Sequence, residues 1–215
     1  MCTASSECAS KSACVAGRCQ LEKPTVKPAV DSARRLVVRP VELAYVQKGG
    51  GLPAGLLPSV FALGKDGGKL LLRFAVNVPP SSTVVEAYVI LRRSSLVDDD
   101  PAPVSLHATR IVDSWSSGSV TWAFQPRSTE SRSPSTMVEP GGSSIVRVDV
   151  RELVRQWGRR DPRDQGIAIV AENETRTGTT FALTGIGGER TDDVAALASG
   201  SAVRDVEPYL ELYFR

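Results

Sequence analysis

Apolar and polar residues alternate along most of the chain after residue 35, in short segments separated by Gly, Pro, Ser and Asp. The alternation is clearest at Val85, Ala87, Val89 and Leu91, and it returns in "PVSLHATRIV", "SSIVRVDV", "GIAIVAEN", "TTFALTGI" and "PYLELYF". A period of two places apolar side chains on one face of a strand and polar side chains on the other. About nine such segments predict an all-β protein, an antiparallel jelly-roll β-sandwich whose pairing order the pattern leaves open.

Three segments predict finer features of this sandwich. Pro40 breaks "RLVVRPVELAYV" into one or two strands, because proline cannot donate to a central ladder. The stretch "LLPSVFALGKDGGKLLLRFAV" predicts two strands joined as a hairpin by the glycine-rich turn Lys65 to Gly68. Gln125 to Ser144, rich in Ser, Pro and Gly, predicts a long mobile loop.

One segment has a helical period instead. It predicts a short helix of about two turns, whose apolar stripe consists of Val150, Leu153, Val154 and Trp157. Asp149 is suited to cap its amino terminus, and Glu152 completes a capping-box pattern. Gly158 favours a left-handed end. We expect this helix to close one open end of the sandwich, with Trp157 pointing inward.

All four cysteines lie in the first nineteen residues, as Cys2, Cys8, Cys14 and Cys19. So short a segment cannot bury a core, and the spacing predicts a disulfide-rich knot over residues 1–20. A zinc site is the alternative, but it would normally show C-x2-C pairs. An acylated Cys2 would leave one of the other three without a partner. Four cysteines allow three pairings, among which Cys2–Cys14 with Cys8–Cys19 is our working hypothesis.

The domain and compartment predictions follow from these segments. Residues 21–35 mix proline, lysine and small residues, which predicts a linker ahead of the sandwich at residues 36–215. Disulfides indicate an oxidising compartment, so we expect a secreted or cell-surface protein whose secretion signal has been removed at Met1. A net charge of +2 argues against a dedicated nucleic-acid binder. No stretch approaches the ~20 apolar residues of a transmembrane helix.

Arginines concentrate on and just after the predicted helix, and four of them form one candidate surface: Arg151, Arg155, Arg159 and Arg160. Guanidinium groups bind carboxylates bidentately, so one interpretation is an anion-binding patch for acidic polysaccharide. The other is a solvated face whose arginines pair locally with Asp161 and Asp164.

The remaining candidates for chemistry are few. Trp115 and Trp122 flank "SSGSV" and form a candidate stacking platform for a sugar, although core packing is the alternative. His107 is the only histidine, and without a G-x-S-x-G elbow we interpret it as a structural surface residue and expect no catalysis. Asp98 to Asp100 would suit calcium, but they lack the spacing of an EF-hand loop, so we expect no cofactor.

Five motifs follow one another in residues 36–215: "LLLRFAVNVPPSSTVVEAYVILRRSS", "DSWSSGSVTW", "VRVDVRELVRQW", "GIAIVAEN" and "PYLELYF". Their order resembles the DNRLRE-type domains of secreted bacterial proteins. The cysteine segment resembles short units found ahead of surface domains in myxobacterial-type proteins. The chain departs from the DNRLRE pattern at Arg151, where threonine is usual, and in the longer "FALTGIGGERTDDVAALASG". The resemblance implies a jelly roll, an extracellular location and, in some relatives, binding of acidic glycans.

These observations give three hypotheses of function. The first is a non-catalytic extracellular carbohydrate-binding or adhesion module that recognises acidic polysaccharide or other surface proteins. The second is a structural subunit of an extracellular matrix, coat or filament, which would form an oligomer. The third is a polysaccharide lyase or hydrolase, which would need a pair of carboxylates that nothing in the sequence singles out.

Overall fold

The structure of the 215-residue chain is a computed structural model. It describes residues 2, 8, 12–15, 18–21, 33–50, 54–77, 79, 81–94, 101–157, 165–183 and 208–215. Within these residues the fold is all-β with one helix, as the alternating pattern predicts. No helix in these ranges has the length and apolar character needed to span a bilayer.

The amino-terminal segment contains a small antiparallel hairpin of β1 (Ser12–Val15) and β2 (Arg18–Leu21). One disulfide joins Cys2 to Cys14 and a second joins Cys8 to Cys19. The working hypothesis for the pairing is confirmed, and the zinc interpretation is wrong because the disulfides consume all four thiolates. The two bridges close loops of similar size, which limits the unfolded ensemble of a segment too short for a core.

The following strands are, in chain order, β3 (Arg34–Val38), β4 (Pro40–Val46), β5 (Val60–Leu63), β6 (Lys69–Phe74), β7 (Val84–Arg93), β8 (Val104–Ile111), β9 (Ser128–Arg132), β10 (Thr136–Val138), β11 (Ile145–Asp149), β12 (Ile167–Ala171), β13 (Thr179–Ala182) and β14 (Tyr209–Phe214). They form two six-stranded sheets with antiparallel pairing. Sheet I has the order β10-β8-β12-β6-β4, with β9 also paired to β8. Sheet II has the order β3-β14-β7-β13-β5, with β11 also paired to β7.

The chain alternates between the sheets from β3 to β8, as in a jelly-roll sandwich. Alternate residues of facing strands point into one core between the sheets, for example Leu70 and Leu72 of sheet I and Leu210 and Leu212 of sheet II. This arrangement confirms the predicted jelly-roll sandwich and explains the period of two.

The predicted hairpin across Lys65 to Gly68 is wrong. The turn itself forms, since Asp66 and Gly67 both have positive φ and the Gly68 amide donates to the Lys65 carbonyl at 2.9 Å, the pattern of a type I′ turn. However, β5 pairs with β13 in sheet II, whereas β6 pairs with β4 and β12 in sheet I. Gly64, also at positive φ, turns the chain from one sheet to the other. β5 and β6 therefore contribute apolar side chains to the same core from the two opposite sheets.

The predicted loop from Gln125 to Ser144 is also only partly a loop. Its polar sequence forms β9 and β10, which pair with successive parts of β8 at the edge of sheet I. An edge position tolerates such a sequence because one side of the strand remains without a ladder partner. The backbone changes course between the two strands, where the Ser133 hydroxyl accepts from the Ala108 amide at 2.9 Å.

The helix α1 (Arg151–Trp157) lies where the pattern predicts it. Asp149 caps it, because its Oδ1 accepts from the Arg151 amide at 2.8 Å. Leu153 and Val154 are buried in the main core, and the half-buried Trp157 contacts Phe74 of sheet I at a ring distance of 6.3 Å. Since α1 follows β11 of sheet II, it bridges the sheets at this end of the sandwich. Gly158 lies outside the described residues.

The outer face of sheet II carries a buried ion pair. The Glu211 side chain is fully buried, and its Oε1 accepts from Arg35 Nε at 2.5 Å and from the Tyr213 hydroxyl at 3.0 Å. Burial is the largest single effect on the pKa of Arg35, and it lowers that pKa. The hydrogen bond to Glu211 and the attraction to its charge together raise the pKa by more, so the net change is a rise. Burial and the Glu211 carboxylate also raise the pKa of Tyr213. The Tyr213 phenol therefore stays neutral beside the carboxylate.

Candidate binding cleft

The segment between β8 and β9 folds back over the outer face of sheet I and buries Trp115. This indole is only 8% exposed, its Nε1 donates to the Gln165 carbonyl at 2.8 Å, and the Arg73 guanidinium lies 5.6 Å from the ring centre. It packs in a second apolar cluster with Ala44, Val46, Leu71, Ile111, Val120 and Ala168. Trp115 therefore packs in the core and anchors the segment, as the alternative to a stacking platform predicts. It presents no surface for a sugar to stack on.

A carboxylate fixes the same segment to the sheet. Glu42 Oε2 accepts from the Ser117 amide at 2.9 Å, and Glu42 Oε1 lies 3.2 Å from an Arg73 guanidinium nitrogen. The hydrogen bonds from Ser117, and then the charge of Arg73, lower the pKa of Glu42. Glu42 therefore stays ionised at neutral pH and holds the segment against β4.

Trp122, further along the segment, is placed differently. Its ring is half-buried and packs so closely on Gly67 that a Cβ at that position would lie 2.6 Å from it. Lys69 Nζ lies 5.3 Å from the ring centre and donates to Gln125 Oε1 at 2.8 Å, while Gln125 Nε2 donates to the Trp122 carbonyl at 2.9 Å. Burial lowers the pKa of Lys69. Trp122 is thus held in one orientation by a turn glycine, a cation and an amide.

Trp122 forms one wall of a cleft of about 380 Å³. The cleft lies where β4 at the edge of sheet I and β5 at the edge of sheet II approach each other, and Phe61 and Leu43 contribute apolar lining. Residues 54–58 line it as well. Its polar lining comes from Gln47, Lys65, Asp66, Ser117, Thr121 and Thr180. Such a combination of apolar surface and a few polar groups is typical of small-molecule sites.

Two hydroxyl groups in the cleft differ in their bonding. The Tyr45 hydroxyl donates to the Ala62 carbonyl at 2.8 Å and lies 2.7 Å from Gln47 Oε1, and its ring lies 5.4 Å from that of Phe61. Burial raises the pKa of Tyr45 to about 12. The Thr180 hydroxyl is buried and has no hydrogen-bond partner among the described residues. Because the Thr180 hydroxyl has no accessible surface, the polar groups that the cleft offers to a ligand are those of its other lining residues.

The two described helix arginines, Arg151 and Arg155, both lie within ion-pair distance of Glu152. Arg155 Nη1 donates to Glu152 Oε1 at 2.7 Å and its Nε donates to the Val84 carbonyl at 3.1 Å. Arg151 Nε lies 3.4 Å from the same Glu152 oxygen. Glu152 therefore takes part in ion pairs on the helix face. The other predicted members of the patch and its predicted partners lie outside the described residues: Arg159, Arg160, Asp161 and Asp164.

Among the described residues, Trp122 and the helix arginines Arg151 and Arg155 do not come together. Trp122 lies beside Lys69 at the start of β6, whereas α1 contacts Phe74 at the end of the same strand. Five residues of an extended strand span about 17 Å. Trp122 and the helix arginines therefore belong to opposite ends of the sandwich.

His107 is not a surface residue, contrary to the prediction. It is 4% exposed, and its Nδ1 lies 3.6 Å from Glu172 Oε1, beyond hydrogen-bond distance. Burial, followed by the charge of Arg132, lowers its pKa, and Glu172 only partly opposes this. The Glu172 carboxylate instead accepts from the hydroxyls of Ser105 and Ser135 at 2.9 and 2.7 Å. Alternation correctly assigned His107 to the outer face, but neighbouring segments cover that face. Asp98 to Asp100, for which no calcium is expected, lie outside the described residues.

No family model matches this chain, and no curated protein sequence is significantly similar to it. The interpretation of the cleft therefore depends on its own lining. Of that lining, sequence reasoning identified only Trp122. The only signal for Tyr45 and Gln47 was their position at and just after the end of an apolar segment, ahead of a glycine-rich stretch, and such a position is too common to predict a site.

Proposed function

We propose that this chain is a non-catalytic carbohydrate-binding or adhesion module of an extracellular protein, and that the cleft beside Trp122 receives a sugar unit. The main support is the lining of the cleft, which combines the fixed, half-buried indole of Trp122 with the polar side chains of Gln47, Ser117 and Thr121. A sugar ring has an apolar face suited to an aromatic side chain and hydroxyl groups suited to polar ones. The volume of about 380 Å³ falls within the usual range for ligand pockets.

The charges around the cleft favour a neutral sugar unit in this position. Lys65 and Asp66, adjacent in the turn, both line it and offset one another. Lys69 is already engaged with Gln125 and the Trp122 ring. An acidic polysaccharide would therefore need a second contact, such as the helix arginines at the other end of β6. We expect binding in the cleft to depend only weakly on salt, since screening acts on charge pairs.

The location outside the cytoplasm is part of the same proposal. Two disulfides within the first nineteen residues favour an oxidising compartment. The motif order shared with DNRLRE-type domains agrees with it, and membership of that family remains part of the proposal.

The test is a glycan array probed with the wild type and with Trp122→Ala. Losing the indole should weaken binding at least about tenfold, equivalent to 1.4 kcal/mol. Phe124→Ala is the matched control, because Phe124 is an aromatic residue of the same segment that is 79% exposed and does not line the cleft. Circular dichroism should show the same fold for all three proteins.

Three outcomes would contradict the proposal: no glycan bound, equal binding by Trp122→Ala, or equal loss in Phe124→Ala. Absence of glycan binding together with concentration-dependent association in light scattering would favour the structural-subunit hypothesis instead. Release of sugar product from the bound glycan would favour the enzyme hypothesis.

A further inference from the structure

The Trp122 cleft is bounded by two strands that each have one free edge. Among the described strands, β4 pairs only with β6 in sheet I, and β5 pairs only with β13 in sheet II. The free side of an edge strand presents backbone N–H and C=O groups that have no ladder partner. Both strands contribute residues to the lining of the cleft, so their free edges are candidate binding groups.

The hydrogen-bond alternation of β5 shows which of its backbone groups face outward. The Leu183 amide donates to the Ser59 carbonyl at 2.9 Å, so Ser59 forms a hydrogen-bonded pair in the register of β5 with β13. In an antiparallel ladder such pairs alternate with residues whose N–H and C=O point away from the partner strand. Val60 and Ala62 are therefore the outward residues. The Ala62 carbonyl accepts from the Tyr45 hydroxyl at 2.8 Å, which agrees with that direction.

The same alternation identifies the outward residues of β4. The Ile111 amide donates to the Gly166 carbonyl at 2.8 Å. Carried across the registers of β8, β12, β6 and β4, this bond places the backbone groups of Ala44 in the ladder with β6. Leu43 and Tyr45 therefore direct their backbone groups to the free edge. Both residues line the cleft, as do Val60 and Ala62 of β5.

The two edges offer different free groups. On β5, the Ala62 carbonyl is already bonded to Tyr45, so the N–H groups of Val60 and Ala62 outnumber the remaining carbonyl. On β4, the carbonyls of Leu43 and Tyr45 have no partner in the part of the chain that the structure describes. The cleft therefore has an excess of donors on the β5 side and carbonyl acceptors on the β4 side.

Apolar surface adjoins these edges. Leu56 lines the cleft and is 57% exposed, which is unusual for a leucine side chain. Trp122 forms a separate aromatic wall of the same cleft. A sugar ring that lies against the indole leaves Leu56 for a small apolar group of the same ligand, since covering exposed apolar surface is favourable.

We propose that the cleft selects sugars that carry an N-acetylamino group, an inference that rests on the function proposed above and names its ligand class. The acetamido group is a planar trans amide, so its N–H and C=O point in opposite directions. Between the two edges it takes the place of one peptide group of an inserted strand. Its carbonyl accepts from an N–H of β5, its N–H donates to a carbonyl of β4, and its methyl group covers Leu56.

An extended peptide is the other kind of ligand that uses free strand edges. The length of β5 argues against it. This strand has four residues, of which two face outward, and one of their two carbonyls is already bonded to Tyr45. A single amide needs one donor and one acceptor, so an N-acetyl sugar fits the free groups better than a continuous strand does.

The experiment titrates the isotope-labelled full chain with two pairs of methyl glycosides and follows its backbone amides by nuclear magnetic resonance. The pairs are N-acetylglucosaminide against glucoside and N-acetylgalactosaminide against galactoside. Within at least one pair the N-acetyl sugar should bind at least about tenfold more tightly, the order expected of two hydrogen bonds and a covered methyl group. The amide resonance of Val60 or Ala62 should shift with the N-acetyl sugar and not with its parent sugar.

Two variants remove the proposed donors one at a time. Val60→Pro and Ala62→Pro each delete an outward N–H, and proline is tolerated on an edge strand where the lost N–H is not part of the ladder. At least one of them should reduce the preference for the N-acetyl sugar by about three- to tenfold. Val60→Ala is the matched control, because it shortens the side chain and retains the N–H, and its preference should equal that of the wild type.

The outcomes separate this inference from the proposed function. Equal affinities within both pairs would overturn the inference and leave the proposed function standing, because the glycan array tests that function independently. An unchanged preference in both proline variants would also overturn it. If neither variant folds, the wild-type amide resonances decide, and unshifted resonances of both Val60 and Ala62 would overturn it. Tighter binding of a five-residue threonine–valine peptide, without a preference among the sugars, would replace it with strand addition.

Discussion

Replacing Gly67 with alanine tests whether the turn between β5 and β6 holds Trp122 in its binding orientation. Gly67 has a φ of 64°, and a Cβ there would lie 2.6 Å from the Trp122 ring. Gly49 provides a matched control, because its φ is 68° and a Cβ there would have nothing within 4 Å. The two substitutions therefore share a backbone cost and differ in the contact with the indole.

The expected magnitudes follow from these two effects. An L-residue in the left-handed region costs roughly 1–2 kcal/mol, which applies to both substitutions. Gly67→Ala must also displace a packed aromatic ring, and inserting a methyl group into a packed site typically costs about 1–3 kcal/mol more. We therefore expect Gly67→Ala to be the more destabilising substitution by about 1–3 kcal/mol. Only Gly67→Ala should also weaken glycan binding, since it moves Trp122.

Urea unfolding followed by far-ultraviolet circular dichroism gives the two free energies of unfolding, and a glycan array gives the binding. Equal destabilisation by both substitutions would refute the argument that Gly67 and Trp122 interlock. Stronger destabilisation by Gly67→Ala with unchanged glycan binding would support the close packing of Trp122 on Gly67 but contradict the role of Trp122 in recognition.

Two further predictions concern buried titratable groups. Arg35→Met should cost about 3–5 kcal/mol because it leaves the fully buried Glu211 without its cation, whereas Glu211→Gln should cost less because the Arg35 side chain is 33% exposed and can hydrate. Urea unfolding measures both, and the reverse order would contradict this account. The folded-state pKa of His107 lies below its ordinary value of 6.5, so the unfolded chain takes up the proton first as the pH falls. The free energy of unfolding should therefore decrease as the pH falls below about 6.5. His107→Gln should make the free energy of unfolding depend less steeply on pH between about pH 7 and 5. The same pH dependence in both proteins would show that His107 does not contribute.

The elements of the fold could be predicted because each is encoded locally. Alternation located the strands, and the helical spacing of Leu153, Val154 and Trp157 with the cap at Asp149 located α1. The pairing could not be predicted. The Asp66-Gly67 turn has the sequence of a hairpin, yet whether its two strands pair or separate into different sheets depends on which distant strands they meet.

The candidate sites were less predictable than the fold, for a related reason. Sequence identifies an aromatic or cationic side chain, but its exposure depends on segments that fold over it. Trp115 and Trp122 are seven positions apart in one segment, yet the first is buried and the second lines a cleft. Arg147 belongs to an alternating strand, where a charged residue normally faces solvent, yet it is only 7% exposed.

The position of β14 has a consequence for how the protein is made. Residues 209–214 are inserted between β3, which is among the earliest residues of the sandwich, and β7. Almost the whole sandwich must therefore be synthesised before its second sheet can be completed. The nascent chain cannot finish folding until residue 214 has left the ribosome. Pairing of such remote segments is slow and leaves strand edges exposed in the meantime. A chaperone that captures incompletely folded chains would have a long interval in which to act, and a truncation ahead of residue 209 would remove an interior strand of the second sheet.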